Sequence, residues 1–194
     1  MKFKLKTEND YELLEAVSAL QKTIRRGLEE EAMFWAAEIE TKFADYLWVR
    51  LTVIVNEDIG LADPAAIQLV EALRQQYQFL RKNSKSPSER LPLANAIIAM
   101  CRAKKTRLAD DFQTVIYRRR DFQEWRIPIP DFALDKHTRR GKQLGRGVDH
   151  WREEGCKLSN EIEGMNSYEQ EATELRERYG RVKKNDKQKR LTGL

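Results

Sequence analysis

Three features of this 194-residue chain predict an all-α fold. Apolar residues recur at helical spacing, and helix-start and helix-stop signals punctuate those runs. The single stretch of strong β-propensity has no hairpin turn beside it. Thr7 and Asp10 form a Thr-x-x-Asp pattern, a weaker cousin of the capping box, and open the first helix. Behind them Leu13, Val17, Leu20 and Ile24 lie on one stripe, and Gly27 supplies the stop. A second helix covers Glu29 to Glu40 and buries Ala32, Trp35, Ala36 and Ile39. Ala44 to Asn56 reads two ways. Leu47 to Val49 and Leu51 to Val55 suit a strand, yet Phe43, Leu47, Leu51 and Ile54 fit a helical stripe, and flanking helices favour the latter.

Asp58 to Pro64 is a turn, with Asp63 as N-cap and Pro64 at the first helical position. The helix behind it buries Ile67, Val70, Leu73, Tyr77 and Leu80. Asn83 to Ser88 is an exposed loop, and a helix starting at Ser88 or Leu91 turns Leu93, Ile97 and Met100 inward. Another helix, Arg107 to Gln123, carries Phe112, Val115, Ile116 and Phe122. Ile127-Pro128-Ile129-Pro130 cannot continue it, because each proline pushes its predecessor toward extended geometry. The main break falls there, closing a compact helical core domain over residues 1–126. Residues 127–180 are expected to form a basic glycine-containing loop and a helical extension packed on the core, with short helices at Val148 to Leu158 and Ser167 to Tyr179. Residues 181–194 lack apolar periodicity and read as a disordered basic tail.

Composition narrows the function. With 41% apolar and 35% charged residues, the chain is not wholly disordered. No unbroken apolar run is longer than Ala96 to Cys101, far short of the roughly 18–20 residues of a membrane span, and no signal peptide is evident. The expectation is a soluble, cytoplasmic protein without membrane contact. Cys101 and Cys156 read as reduced thiols, and with His137 and His150 they show no zinc spacing, so no metal or cofactor is expected. The net charge of +5 is unevenly spread. From Cys101 to Leu158 there are 15 Lys and Arg against 9 Asp and Glu, and from Arg181 to Leu194 there are 6 against 1. Residues 1–100 carry 13 against 15. A polyanion suits the basic regions, while solvation of helix faces is the plainer account.

The P-loop, the nucleophile-elbow motif and the helical H-E-x-x-H motif are all missing from the sequence. Glu57 and Asp58 sit beside a turn, where paired carboxylates are more often caps than catalytic dyads. Asp135, His137, Asp149 and His150 are the residues from which an acid–base constellation could be assembled, at a density close to chance. The most unusual stretch is Asp135 to Gly147, with Lys136, Arg139, Arg140, Lys142 and Arg146 among three glycines. It reads either as a phosphate-contacting loop or as a surface loop whose arginines pair with Asp135, Asp149 and Glu153. Arg118, Arg119 and Arg120 could face the same ligand. Trp125 and Trp151 serve either base stacking or the core.

Four stretches resemble the C-terminal region of the replication-associated recombination ATPases, the MgsA/RarA group of AAA proteins. Leu20-Gln21-Lys22-Thr23-Ile24-Arg25 followed by Ala32-Met33-Phe34-Trp35-Ala36-Ala37 is similar to that family's "L-x-K-S-I-R … A-x-Y-W-L-A" helix pair. Glu57-Asp58-Ile59-Gly60-Leu61-Ala62-Asp63-Pro64 matches its most distinctive motif. Leu93-Ala94-Asn95-Ala96 resembles its "L-A-Q-A" helix, and Pro130 to His150 is similar to a diverged form of its closing "T-K-x-x-K-x-L-G-Y-G". The family's "L-R-N-A" reads Ala133-Leu134-Asp135-Lys136 here, and its "A-P-K-S-N" reads Arg102-Ala103-Lys104-Lys105-Thr106.

The resemblance implies an all-helical domain that follows an ATPase module in full family members, assembles them into tetramers, and serves proteins acting at stalled replication forks. No ATPase module stands within these residues, so ATP hydrolysis is not implied for them. Glu57, Asp58, Gly60, Leu61, Asp63 and Pro64 then read as a structural or interface motif. The expected function is a non-enzymatic homo-oligomeric domain, dimer or tetramer, that contacts DNA or a replication or repair partner. The residues expected at DNA are Arg118, Arg119, Arg120, Arg139, Arg140, Lys142 and Arg146. The alternative is a pure interaction module pairing with a separate AAA ATPase without nucleic-acid contact. A third reading, an enzyme centred on Asp135, His137 and His150, is the least expected.

Overall fold

A computed structural model describes residues 5–179, and they form an all-α protein. Their only β feature is an isolated bridge between Lys6 and Glu12, and none of their helices is long and apolar enough to cross a membrane. The chain divides into two compact units, Met1–Arg126 and Ile127–Leu194. The basic tail predicted from Arg181 lies outside the described residues.

In the first unit, α1 (Leu13–Arg26) buries Leu13, Val17, Leu20 and Ile24, as their spacing predicts, and stops at Gly27 in the left-handed region (φ 73°). Its start differs from expectation. Glu12 is the N-cap, accepting from the Glu15 amide at 3.0 Å. Thr7 and Asp10 instead shape the turn before it: the Thr7 hydroxyl accepts from the Tyr11 amide, and Asp10 takes φ 68°. A short polar side chain serves either structure, and the bridge between Lys6 and Glu12 decides for the turn.

The expected second helix and the ambiguous stretch after it are one 26-residue element, α2 (Glu29–Ile54), broken in its dihedrals only at Phe43. Its second half would have to leave Leu47, Trp48, Leu51 and Ile54 unpacked as a lone strand. As a helix it buries all four. A π-helical turn, Val55–Ile59, and a 3₁₀ turn, Gly60–Ala62, lead into α3 (Pro64–Asn83). Pro64 holds the first helical position as expected, but the Asp63 side chain makes no capping bond.

Helix α3 buries Ala66, Val70, Leu73 and Tyr77, while Ile67 is partly buried against the core. Helix α4 (Arg90–Arg102) buries Leu93, Ala96, Ile97 and Met100. Helix α1 packs along α2, and α3 along α4, around Trp48 and Tyr77, whose ring centroids lie 5.2 Å apart. The Tyr77 hydroxyl donates to Glu40 at 2.7 Å, and burial raises its pKa.

Cys101 closes this core, and burial pushes its thiol up to about 11, whereas Cys156 in the second unit is exposed. A thiol of that pKa leaves about one thiolate in a thousand at pH 8. Iodoacetamide at pH 8 is therefore expected to modify one thiol per native chain, mapped to Cys156, and two in denaturant. Labelling of Cys101 at the rate of Cys156 would show that the core is open there.

Helix α5 (Leu108–Phe122) ends the first unit. It is a well-formed helix without a single buried residue. In the second unit, a 3₁₀ turn (Asp131–Ala133) precedes three further helices, α6 (Arg139–Gln143), α7 (Val148–His150, continued by a π turn over Trp151–Gly155) and α8 (Glu169–Tyr179). The helix predicted to reach Leu158 therefore stops at Gly155, and part of the predicted glycine-containing loop is helical.

Candidate functional site

The Glu57 to Pro64 motif is built around a buried charge. Continuing α2 as a wider π turn leaves Glu57 partly exposed and Asp58 only 1% exposed. A carboxylate there needs partners, and three side chains supply them: Arg25, Gln21 and Arg107. From α1, Arg25 reaches Asp58 at 2.9 Å and Gln21 donates at 3.1 Å; the two residues are four apart and share a helix face. Arg50 of α2 donates to the Gln21 side-chain oxygen at 3.2 Å, which holds that amide in place. From the start of α5, Arg107 reaches Asp58 at 3.2 Å and Glu57 at 3.0 Å. The Thr106 amide donates to the Asp58 carbonyl at 2.9 Å.

Arg107 also pairs with Asp110 and so clamps the first turn of α5 to the motif. Gly60 takes φ 50° and ψ −131°, a backbone region closed to other residues, to redirect the chain after the π turn. Leu61 projects outward at 73% exposed. Glu57, Asp58, Gly60 and Pro64 thus act within the fold, and Leu61 faces outward. Arg107 was invisible as part of this hub because nothing local to it signals a partner 49 residues upstream.

The arginines of the first unit are locally engaged. The Arg118 guanidinium lies 5.3 Å from the Phe122 ring centroid, Arg119 5.9 Å from that of Trp125, and Arg120 4.7 Å from that of Tyr117. Arg120 also pairs with Asp121 at 2.7 Å and holds that carboxyl below its usual range.

The basic stretch of the second unit is more ordered than a loop. The Thr138 hydroxyl caps α6, accepting from the Gly141 amide at 2.9 Å and donating to the Asp135 carbonyl at 3.0 Å. Gly141 is buried against that same carbonyl. Arg146 is consumed by structure: it grips both Asp131 oxygens at 2.6 and 2.7 Å and donates to the carbonyls of Asp131 and Leu134. That contact holds the Asp131 carboxyl below its usual pKa.

Among the described residues the arginines of the basic stretch do not pair as expected with Asp135, Asp149 or Glu153: Arg146 takes Asp131, and Arg139 and Arg140 make no ion pair. Asp135 instead accepts from the His137 amide and faces its Nδ1 at 2.9 Å, a bond that lowers the carboxyl's pKa. His137 meets the Trp151 ring edge-on, and Lys136 Nζ sits 3.9 Å from that ring's centroid. The Nδ1 of His150 is buried and has no hydrogen-bond partner among the described residues. Among the described residues no cluster of His, Cys, Asp and Glu could hold a metal ion. Arg139, Arg140 and Lys142 are exposed, and none makes an ion pair among the described residues. The seven residues expected at DNA therefore fall into three locally engaged on α5, one built into the fold, and three free on α6.

The family model described as MgsA AAA+ ATPase C terminal matches residues 29–192. The chain is similar to the Replication-associated recombination protein A of Bacillus subtilis, 32% identical over 139 residues, 70% of this chain and 31% of that protein. The protein of the same name from Haemophilus influenzae is 31% identical over 142 residues, 69% of this chain and 29% of its own length. That from Escherichia coli K12 is 28% identical over 152 residues, 77% of this chain and 32% of its own. The chain thus spans about a third of the length of the curated relatives it matches.

Proposed function

Because the chain belongs to the MgsA AAA+ ATPase C-terminal family, we propose that its residues form a non-enzymatic assembly domain that self-associates and contacts DNA. The replication context comes from relatives named for replication-associated recombination. The observation that carries the DNA contact is the trio Arg139, Arg140 and Lys142, exposed and without ion pairs among the described residues. They stand on a turn held by Thr138 and by the close packing of Gly141. Free cations on a rigid turn contact phosphate without first breaking an internal pair, and each contact releases condensed counterions. Arg146 closes the turn, its amide donating to the Gly141 carbonyl at 3.0 Å.

The test is fluorescence anisotropy with a labelled forked DNA across a salt series. The triple reversal R139E/R140E/K142E is expected to weaken binding at least tenfold near 0.1 M salt, and to flatten the log–log slope by about 2–3, roughly one per lost contact. Unchanged affinity and slope would remove the three residues from the interface. A second reading, an interaction module pairing with a separate AAA ATPase, draws support from the exposed apolar side chains of α5. Recovery of an ATPase in a pulldown, with no DNA affinity, would favour it.

A further inference from the structure

Several rings of this chain carry a cation of their own: Tyr117, Phe122, Trp125 and Trp151 each face a lysine or arginine of the chain itself. Among the described residues, three rings beside the start of α2 carry none. Trp35 packs partly buried against the core, and Tyr11 and Phe34 meet it edge-on at centroid distances of 5.2 and 5.1 Å. Tyr11 and Phe34 also meet each other, at 6.3 Å, and are 41% and 47% exposed. Rings fastened to the core and yet open to water make a surface for contact.

The charge around these rings selects the partner. Residues 7–21 hold four Asp and Glu, residues 27–41 hold five, and neither segment holds a Lys or Arg. On α2, Glu30 and Glu31 stand one turn before Phe34 and Trp35, and Glu38 one turn after, so carboxylates flank the rings along one helix face. Lys6, Lys42 and Arg102 pair with Asp10, Glu8 and Glu29, whereas Glu15, Glu30 and Glu31 make no ion pair among the described residues. The helix dipole favours acids in the first turn of α2, but it asks for no rings beside them. Glu38 is a second, independent sign of a missing cation. It is 7% exposed, and Asn9, two residues before Tyr11, donates to one of its oxygens. The other oxygen is buried without a hydrogen-bond partner among the described residues. Lys42, one turn further along α2, donates instead to the Thr7 carbonyl.

We propose that Tyr11, Phe34 and Trp35, with Glu30 and Glu31, form a docking site for a basic segment of a partner protein. An arginine or lysine of that segment lies over the exposed rings while its neighbours face the carboxylates. A ring attracts a cation through its negative face, and the flanking carboxylates add a longer-ranged pull, so together they select a cation over a neutral apolar side chain. The same charge repels phosphate, which separates the role of this surface from that of the basic residues of α6.

A fluorescein-labelled hexa-arginine peptide, titrated with the full chain from about 1 µM to about 1 mM and followed by anisotropy, is expected to bind, and a hexaglutamate peptide is not. Tyr11 and Phe34 are exposed, so variants there keep the fold. F34L and Y11L retain apolar volume and remove one ring each; each is expected to weaken binding about fivefold, the scale of one cation–π contact. E30Q/E31Q is expected to weaken it about tenfold near 0.1 M salt. D45N, at an exposed acid elsewhere on α2, is expected to change it less than about twofold, and none of these variants is expected to lower the affinity for forked DNA. Peptide affinity unchanged in F34L and Y11L would overturn the site and leave a diffuse acidic surface, as would a loss in D45N equal to that in E30Q/E31Q. A wild-type chain that leaves the peptide free at about 1 mM would overturn it as well.

Discussion

Replacing Arg25 by methionine is expected to lower the unfolding free energy of the first unit by about 2 kcal/mol, less than stranding a buried carboxylate costs, because Arg107 still pairs with Asp58. Asp58 is almost wholly buried and keeps only Gln21 and Arg107 as side-chain partners once Arg25 is gone. Methionine preserves most of the packing volume of the arginine stem, so the loss reports charge. The neighbouring Arg26 is exposed and donates only to the Lys22 carbonyl, and R26M is expected to cost under about 0.5 kcal/mol. In the double variant R25M/D58N the costs are expected to fall short of their sum by about 1–2 kcal/mol. Urea unfolding of the wild type, R25M, R26M, D58N and R25M/D58N measures each cost. Equal small losses for R25M and R26M would mean that the hub does not hold α1 to the turn before α5.

Gly141→Ala is expected to be at least as severe in the second unit. A Cβ at that position would sit 1.9 Å from the Asp135 carbonyl oxygen and 2.7 Å from the Leu134 carbonyl carbon. Both obstacles are backbone, so no rotamer change relieves them, and the turn must open at a cost of about 3 kcal/mol or more. Hydrogen exchange reads the result locally. The amides of Lys142, Leu144 and Arg146, bonded to the carbonyls of Thr138, Arg140 and Gly141, are expected to lose protection. Gly145→Ala, at φ 70° with open space around it, is expected to cost about 1 kcal/mol, and Gly147→Ala almost nothing. Equal protection in all three would show that α6 does not depend on the close approach. On the proposed function, Gly141→Ala also weakens DNA binding without removing a charge.

The helical stripes were legible in the sequence because burial follows spacing: Leu13, Val17, Leu20 and Ile24 in α1, and Leu93, Ile97 and Met100 in α4, lie where a 3.6-residue period puts them. The join of α2 was half legible, since β-branched residues favour a strand locally and only burial of Leu47, Trp48 and Leu51 settles it. The Asp58 hub was not legible. The Glu57–Asp58 pair announces itself as charge beside a turn, but its partners come from positions 21, 25 and 107, and no local rule links them. Helix α5 shows the opposite limit. Periodicity located the helix and its apolar stripe, yet periodicity is silent on whether a stripe faces its own core. In the basic stretch, composition found the cations without separating Arg146, spent on Asp131, from Arg139, Arg140 and Lys142.

The most direct test of the account is the wild-type chain with forked DNA, followed by anisotropy from low salt to about 0.2 M. Binding that persists near physiological salt and weakens with a log–log slope of about −3 or steeper is the predicted result, as expected for several phosphate contacts. No binding even at the lowest salt would contradict the DNA contact, and the basic residues of α6 would then serve solvation or protein recognition.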